Sequence, residues 1–379
     1  MIVNRPPMGW NTWNTFGENI NEQIVKEAAD AMVEKGLLAS GYEYLVIDDC
    51  WSKRQRDPVT NRIVADPERF PNGMKAVADY VHSKGLKFGM YSCAGVRTCA
   101  DYPGSFDHEF IDAETFAEFG VDFLKYDYCH RSGTTNGPIL YHRMANALRA
   151  TGRDIIFSAC NWGHDDVFSW IRSTGAHMYR STGDIFDNFN SMKEIATSQF
   201  SKQCYNTPGC FNDMDMLTVG MFGKGHVGSE GCTAKDYIIQ FALWCMMGSP
   251  LILGCDIRNI DDEMLKLVTN KELIKINQDL ECRQAFTLSA GHSWNGNITT
   301  TVVRKLENGD FALACINLSE QKAMTPVYFD EIGYPANCGL KYELTDLLTG
   351  DKFIYDGDCM SIYFGPKETK IYRVKPIKK

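Results

Sequence analysis

The feature that most constrains this chain is a strand-then-helix unit that recurs through its first half. Short β-rich runs begin at Tyr44, Leu86, Val121 and Ile155. The steps from 44 to 86, 86 to 121 and 121 to 155 are 42, 35 and 34 residues, each the length of one βα unit. The runs are Tyr44 to Ile47, Leu86 to Met90, Val121 to Tyr126 and Ile155 to Phe157, with amphipathic segments between them. One starts at Asn21 as N-cap, puts Ile24, Ala28, Ala31 and Met32 on one face and stops at Gly36. Another carries Met74, Val77, Ala78 and Val81 and ends at Lys84-Gly85. Eight units of about 35 residues need about 280 residues, the ordinary size of a (β/α)₈ TIM barrel. Beyond Ile276-Asn277-Gln278-Asp279 the texture changes to alternating strands: Thr299 to Val303, Phe311 to Ile316, Ala323 to Phe329, Tyr342 to Leu344 and Lys370 to Val374. Turn signals stand at Glu307-Asn308-Gly309-Asp310 and Thr349-Gly350-Asp351, which predicts an appended antiparallel β-sandwich. The expected division is residues 1–284 for the barrel and 285–379 for the sandwich.

The 379 residues are 44% hydrophobic and 23% charged, ordinary for a globular protein with core enough for a large barrel and an appendage. A net charge of −9 argues against nucleic acid, because phosphate binding wants a basic field. The first residues show no apolar leader and no stretch of about 18 apolar residues occurs, so no membrane segment is expected. The fourteen cysteines are scattered without a Cys-x-x-Cys pair, which reads as free buried thiols in a reducing compartment rather than zinc ligands. A cytoplasmic location is therefore expected, or a secreted one if a leader has been removed.

Polar residues gather where barrel chemistry is done, at the C-terminal ends of strands. In Leu124-Lys125-Tyr126-Asp127-Tyr128-Cys129 an apolar strand ends in a lysine and a carboxylate two residues apart, which face the same side. A lysine beside a carboxylate keeps it ionised, as a nucleophile requires; a structural ion pair fits the hexapeptide equally well. Trp13, Asp48, Asp49, Tyr91, Arg180 and Asp184 also fall at or just past strand ends. Alone, Asp48-Asp49 reads as a solvated loop and Asp184 as a helix N-cap. Together they admit two chemistries: a hard-cation site, or sugar binding with two catalytic carboxylates. Lys125 and Arg180 would compete with a metal, and Trp13, Tyr91 and Trp162 offer stacking surfaces. Sugar chemistry without metal or cofactor is the expectation.

These residues resemble glycoside hydrolase family 27, the α-galactosidase (melibiase) and α-N-acetylgalactosaminidase family. The matching blocks are Met8-Gly9-Trp10-Asn11-Thr12-Trp13, Ile47-Asp48-Asp49-Cys50-Trp51, Lys125-Tyr126-Asp127, Arg180-Ser181-Thr182-Gly183-Asp184-Ile185 and Asn212-Asp213-Met214-Asp215-Met216. The resemblance implies Asp127 as nucleophile and Asp184 as general acid/base of a retaining double displacement, which needs the carboxyls about 5 Å apart. It also requires an environment that raises the Asp184 pKa while Lys125 keeps Asp127 charged. Asp48 and Asp49 then grip the 4- and 6-hydroxyls, Trp13 and Tyr91 shape the sugar pocket, and Arg180 reaches toward the 2-position. Asn161 and Trp162 border that same position, and Asp215 is a supporting residue.

Three departures stand out. Glu18 replaces a cysteine that in many relatives pairs with the one matching Cys50, whereas Cys99 and Cys129 match another family disulfide and either bridge or, in a cytoplasmic protein, stay thiols. Cys160-Asn161-Trp162-Gly163 replaces the Cys-Glu-Trp of many α-galactosidases, and Gly209-Cys210-Phe211-Asn212-Asp213-Met214-Asp215 replaces Gly-Gly-Trp-Asn-Asp-Pro-Asp. Bulky Trp162 and the intact Asp48-Asp49 pair point to a retaining exo-α-galactosidase acting on a small-molecule galactoside. An α-N-acetylgalactosaminidase or a β-L-arabinopyranosidase is the alternative on the same scaffold. A sugar-binding barrel without catalysis and a metal-dependent lyase or isomerase are the readings from other classes. Leaving-group contacts are expected from loops 131–138 and 220–228; the oligomeric state is left open.

Overall fold

The computed structural model describes residues 3–288 and 299–379. Eight short strands, β1 (Met8–Asn11), β2 (Tyr44–Val46), β3 (Lys87–Cys93), β4 (Phe123–Asp127), β5 (Ile156–Cys160), β6 (Met178–Arg180), β7 (Phe211–Asp213) and β8 (Leu251–Leu253), pair in parallel in the order β7 through β1 to β8. A parallel bridge between Leu217, just past β7, and Leu253 brings the two ends together and curls the sheet into a barrel. The strands are buried almost throughout, because helices cover one face and the barrel interior the other. Tyr44, Val46, Phe123, Ile156, Met178 and Phe211 fill that interior below the strand ends. Gly89 lies among them: a Cβ there would come within 2.7 Å of Val46 Cγ2, so the layer has no room for a side chain at this point.

The covering helices are α1 (Trp13–Phe16), α2 (Glu22–Glu34), α3 (Gly73–Ser83), α4 (Glu109–Phe119), α5 (Gly137–Ala150), α6 (Val167–Thr174), α7 (Phe189–Ser198), α8 (Ala234–Met247), α9 (Asp262–Val268) and α10 (Lys271–Asn277). Asn21 caps α2 as expected, its side chain accepting from the Ile24 N–H. Helix α8 starts in a capping box between Thr233 and Asp236 and is apolar nearly all round, since it lies between the barrel and the second sheet.

The C-terminal part comprises β9 (Phe286–Thr287), β10 (Thr299–Lys305), β11 (Phe311–Asn317), β12 (Ala323–Tyr328), β13 (Leu340–Asp346), β14 (Lys352–Tyr355), β15 (Cys359–Phe364) and β16 (Thr369–Lys378). Six of these form an antiparallel sheet in the order β14-β13-β16-β11-β10-β9, and β12 pairs with β15. Val303, Leu313, Leu344 and Val374 of the larger sheet share a core with Val327 and Ile362 of the smaller. Arg304 of β10 joins the two parts. Its buried guanidinium donates to the carbonyls of Cys245 (2.8 Å) and Asn277 (3.4 Å), in the last turns of α8 and α10, where helix dipoles favour a cation. Among the described residues no helix is long and apolar enough to cross a membrane.

Candidate active site

The ends of β1 to β7 converge on one cavity of about 190 Å³. Lys125 and Asp127, two apart on β4, both line it, as the strand's alternation requires. Strand register places Tyr91 beside Lys125, and the ammonium lies 5.4 Å from the tyrosine ring centroid. Tyr91 Oη donates to Asp127 Oδ2 (2.8 Å), and the Tyr128 N–H to Asp127 Oδ1 (2.9 Å). The direct partner of Lys125 is Asp48, at 2.7 Å, rather than Asp127. Asp48 Oδ2 also accepts from Asn11 Nδ2 (2.8 Å), and its Oδ1 from the Asp49 N–H (3.0 Å). Asp49 is held in turn by the N–H groups of Cys50 (2.7 Å) and Ala100 (3.1 Å). Both carboxylates are therefore buried and fixed in orientation.

The opposite wall is organised by Arg180. Its guanidinium meets Asp184 Oδ1 at 2.6 Å and Asp215 Oδ1 at 2.8 Å, while Asp215 Oδ2 accepts from the Ile185 N–H (2.8 Å). Arg180 thus ties the loop after β6 to the loop after β7. The side chain of Asp184 is 67% exposed, whereas Asp215 is buried.

The electrostatics differ from the sequence expectation. Burial pushes the Asp127 carboxyl up to about 6, against the opposing pull of Lys125 and the hydrogen bonds from Tyr128 and Tyr91. Burial also pushes Asp184 up, but the charge and hydrogen bond of Arg180 outweigh it and leave Asp184 below its ordinary value. The expected order, with Asp184 raised and Asp127 held charged, is reversed: burial of Asp127 outweighs the pull of Lys125, whereas Arg180 outweighs the burial of Asp184. Asp215 rises to about 6 by burial, opposed by Arg180 and reinforced by Asp184 and Asp213.

Of the residues singled out from sequence, Trp13, Asp48, Asp49, Tyr91, Lys125, Asp127, Trp162, Arg180, Asp184 and Asp215 line the cavity together. Asn161 does not. It is fully buried, its Nδ2 donates to the His164 carbonyl (2.9 Å), and it braces the turn on which Trp162 sits at φ 57°. Asn14, Cys99, Cys160, Ile185, Phe186, Met216, His226 and Val227 complete the lining. His226 and Val227 come from loop 220–228, and the His226 ring lies edge-to-face against Trp13 at 4.9 Å. Loop 131–138 does not reach the cavity.

Cys99 and Cys129 have Cα atoms 5.2 Å apart, within the span of a disulfide. Their sulfurs and an Asp127 oxygen are mutually within 4.8 Å, a donor set for a soft cation that would occupy the Asp127 carboxylate. The carboxylates needed for a hard cation are instead neutralised by Lys125 and Arg180. Where Glu18 rules out the other family disulfide, Arg69 takes over: its Nη1 donates to the carbonyls of Glu18 (2.8 Å) and Cys50 (2.7 Å).

A (β/α)₈ barrel with an appended β-sandwich and a cavity lined by carboxylates is the arrangement that glycoside hydrolase barrels use. A family model described as alpha galactosidase A matches residues 5–279, and one described as the alpha galactosidase C-terminal beta sandwich domain matches residues 297–374. The chain belongs to this melibiase family. It is 49% identical over 275 residues to an alpha-galactosidase of Cyamopsis tetragonoloba, a match covering 72% of this chain and 64% of that protein. The chain thus spans somewhat under two thirds of that relative's length. The solved structure of alpha-galactosidase I from Mortierella vinacea superposes with a TM-score of 0.90 at 31% identity, covering 98% of this chain and 97% of that one. An alpha-galactosidase from Saccharomyces cerevisiae solved with raffinose gives a TM-score of 0.87 at 28% identity, covering 99% and 98%.

Proposed function

We propose that this chain is a retaining exo-α-galactosidase that releases terminal α-linked galactose from small glycosides by double displacement. The observation that carries this reading is the pairing of a buried carboxylate, Asp127, with a solvent-facing one, Asp184, in one small cavity. Its volume of about 190 Å³ lies below the range of pockets for drug-sized ligands, as suits a single terminal ring. Asp127 attacks the anomeric carbon, and Asp184 protonates the departing glycosidic oxygen. Asp184 then takes a proton from the water that cleaves the galactosyl-enzyme ester, restoring both groups. Its exposed carboxyl lies where the aglycone leaves and water arrives.

Asp48 and Asp49 accept from the sugar's 4- and 6-hydroxyls, their orientation set in advance by Asn11, Lys125 and backbone N–H groups. Trp13 and Tyr91 shape the remaining wall. Cys160 and Trp162 line the cavity beside Arg180 and close the space an N-acetyl group at the 2-position would need. In the same reading the barrel is residues 1–284 and the sandwich 285–379; Cys99 and Cys129 are close enough to pair, and in a reducing compartment they stay thiols. Exposed free thiols at Cys204 and Cys338 favour a cytoplasmic site of action.

The test is side-by-side hydrolysis of nitrophenyl α-galactoside, α-N-acetylgalactosaminide and β-L-arabinopyranoside, with the anomer released first followed by proton NMR. Dominant α-galactoside turnover releasing α-galactose is expected. Preference for either other sugar, or release of β-galactose, would overturn the reading.

A further inference from the structure

Phe186 is an aromatic side chain exposed for a reason the chain makes visible. Its neighbours on both sides are buried and anchored: the Ile185 N–H donates to Asp215 Oδ2. Asp187 accepts from the Gly223 N–H and from Tyr237 Oη, while its own N–H donates to the Val227 carbonyl. Phe186 itself is held by its N–H, which donates to Ser191 Oγ (3.0 Å). Yet the residue is left 52% exposed and lines the cavity. A single exposed hydrophobic residue is ordinary, but this ring borders the cavity itself, two residues beyond the candidate general acid.

Resting on the α-galactosidase reading, we propose that Phe186 is the platform for the leaving group and selects substrates whose aglycone is itself a pyranose ring. The general acid must touch the glycosidic oxygen, and that oxygen is bonded to the aglycone. Asp184 and Phe186 line the same cavity from one short anchored turn, so a group attached at that oxygen extends over the Phe186 ring. A pyranose presents an apolar face of C–H groups that covers the ring and removes it from water. His226 and Trp162 complete the rim. Covering the exposed half of a phenylalanine side chain favours the bound substrate by roughly tenfold.

The experiment compares kcat/KM for α-galactosyl fluoride, whose leaving group fills none of this space, with that for melibiose, a galactosyl glucose. Wild type, Phe186→Ala and Phe186→Trp are assayed on both. The expected result is that Phe186→Ala loses roughly tenfold more on melibiose than on the fluoride, and that Phe186→Trp restores the melibiose-to-fluoride ratio. Equal loss on both substrates, or no loss on melibiose, overturns the platform while leaving the α-galactosidase reading intact. Wild-type protein inactive on both substrates overturns that reading and the platform with it.

Discussion

Removing one hydroxyl, with Tyr91→Phe, tests the reversed proton order in the site. Tyr91 Oη donates to Asp127 Oδ2 at 2.8 Å and both residues are buried, so the bond is made to a charged acceptor away from water. Such a bond is worth roughly 1.5 to 3 kcal/mol, and 1.36 kcal/mol is one pK unit. The Asp127 carboxyl, already at about 6, should therefore rise by roughly one to two units in the variant. The phenyl ring preserves the packing against Lys125.

The consequence for catalysis follows from which carboxyl holds the proton. In the proposed mechanism the productive form has Asp127 ionised and Asp184 protonated, whereas burial raises Asp127 and Arg180 holds Asp184 low, the opposite order. Because kcat/KM reports the free enzyme, it should fall above about 6, where the singly protonated pair disappears, and its acid limb should lie below the ordinary aspartate range. Raising the Asp127 pKa makes the productive arrangement rarer below pH 6. There kcat/KM should drop roughly tenfold to a hundredfold. Well above the basic limb both carboxyls are ionised, the productive fraction depends on Asp184 alone, and variant and wild type should converge. The assay is a pH series of kcat/KM on nitrophenyl α-galactoside for both proteins. A uniform loss at every pH, or an acid limb that moves upward in the variant, would refute the reversed order and restore the arrangement in which Asp184 is the raised group.

The remaining predictions concern the proposed nucleophile and the two structural clasps. Asp127→Asn should abolish turnover without altering the far-ultraviolet circular dichroism, and azide should rescue Asp127→Gly with formation of a galactosyl azide; near-normal rates in Asp127→Asn would remove it as nucleophile. Arg69→Met should lower stability in urea by roughly 1 to 3 kcal/mol and raise KM, because the Glu18 and Cys50 carbonyls lose their shared donor beside the Asp48-Asp49 loop; an unchanged urea midpoint would show that the clasp carries nothing. Arg304→Ala should cost roughly 3 kcal/mol or more through lost hydrogen bonds and an unfilled space between α8 and β10, read by the same titration, with Arg304→Met recovering part of the packing.

How far the sequence reached depended on whether a feature was periodic along the chain or assembled across it. The barrel was legible because its first strands recur at near-constant spacing and end in polar residues. Strands β1 and β6 to β8 are three or four residues each and do not read as strands; β2 is as short, but its run from Tyr44 to Ile47 is unbroken and apolar. In the sandwich, β9 and β14 are too short to show a pattern, while the exposed aromatic Tyr363 hid the alternation of β15. Lys125 and Asp127 could be placed together because two-residue spacing on a strand is a local rule. Asn161 could not be placed, since its side chain turned toward the His164 carbonyl rather than into the cavity.

The proton order was the least legible property because it depends on cross-strand partners. Lys125 is two residues from Asp127, yet its bond crosses to Asp48 on the segment after β2. Arg180 reaches forward to Asp184 and across to Asp215 at once. Each cation is therefore shared, and the two buried carboxylates, Asp127 and Asp215, rise to about 6 because burial outweighs their part of it, while exposed Asp184 stays low. A bound sugar that draws Arg180 toward its 2-hydroxyl would release Asp184 from the ion pair and let it take up the proton it must donate. On this account binding itself arms the acid: occupying the 2-position should raise the Asp184 pKa, so a 2-deoxy galactoside should lose more in kcat than the missing hydrogen bond alone would take from binding.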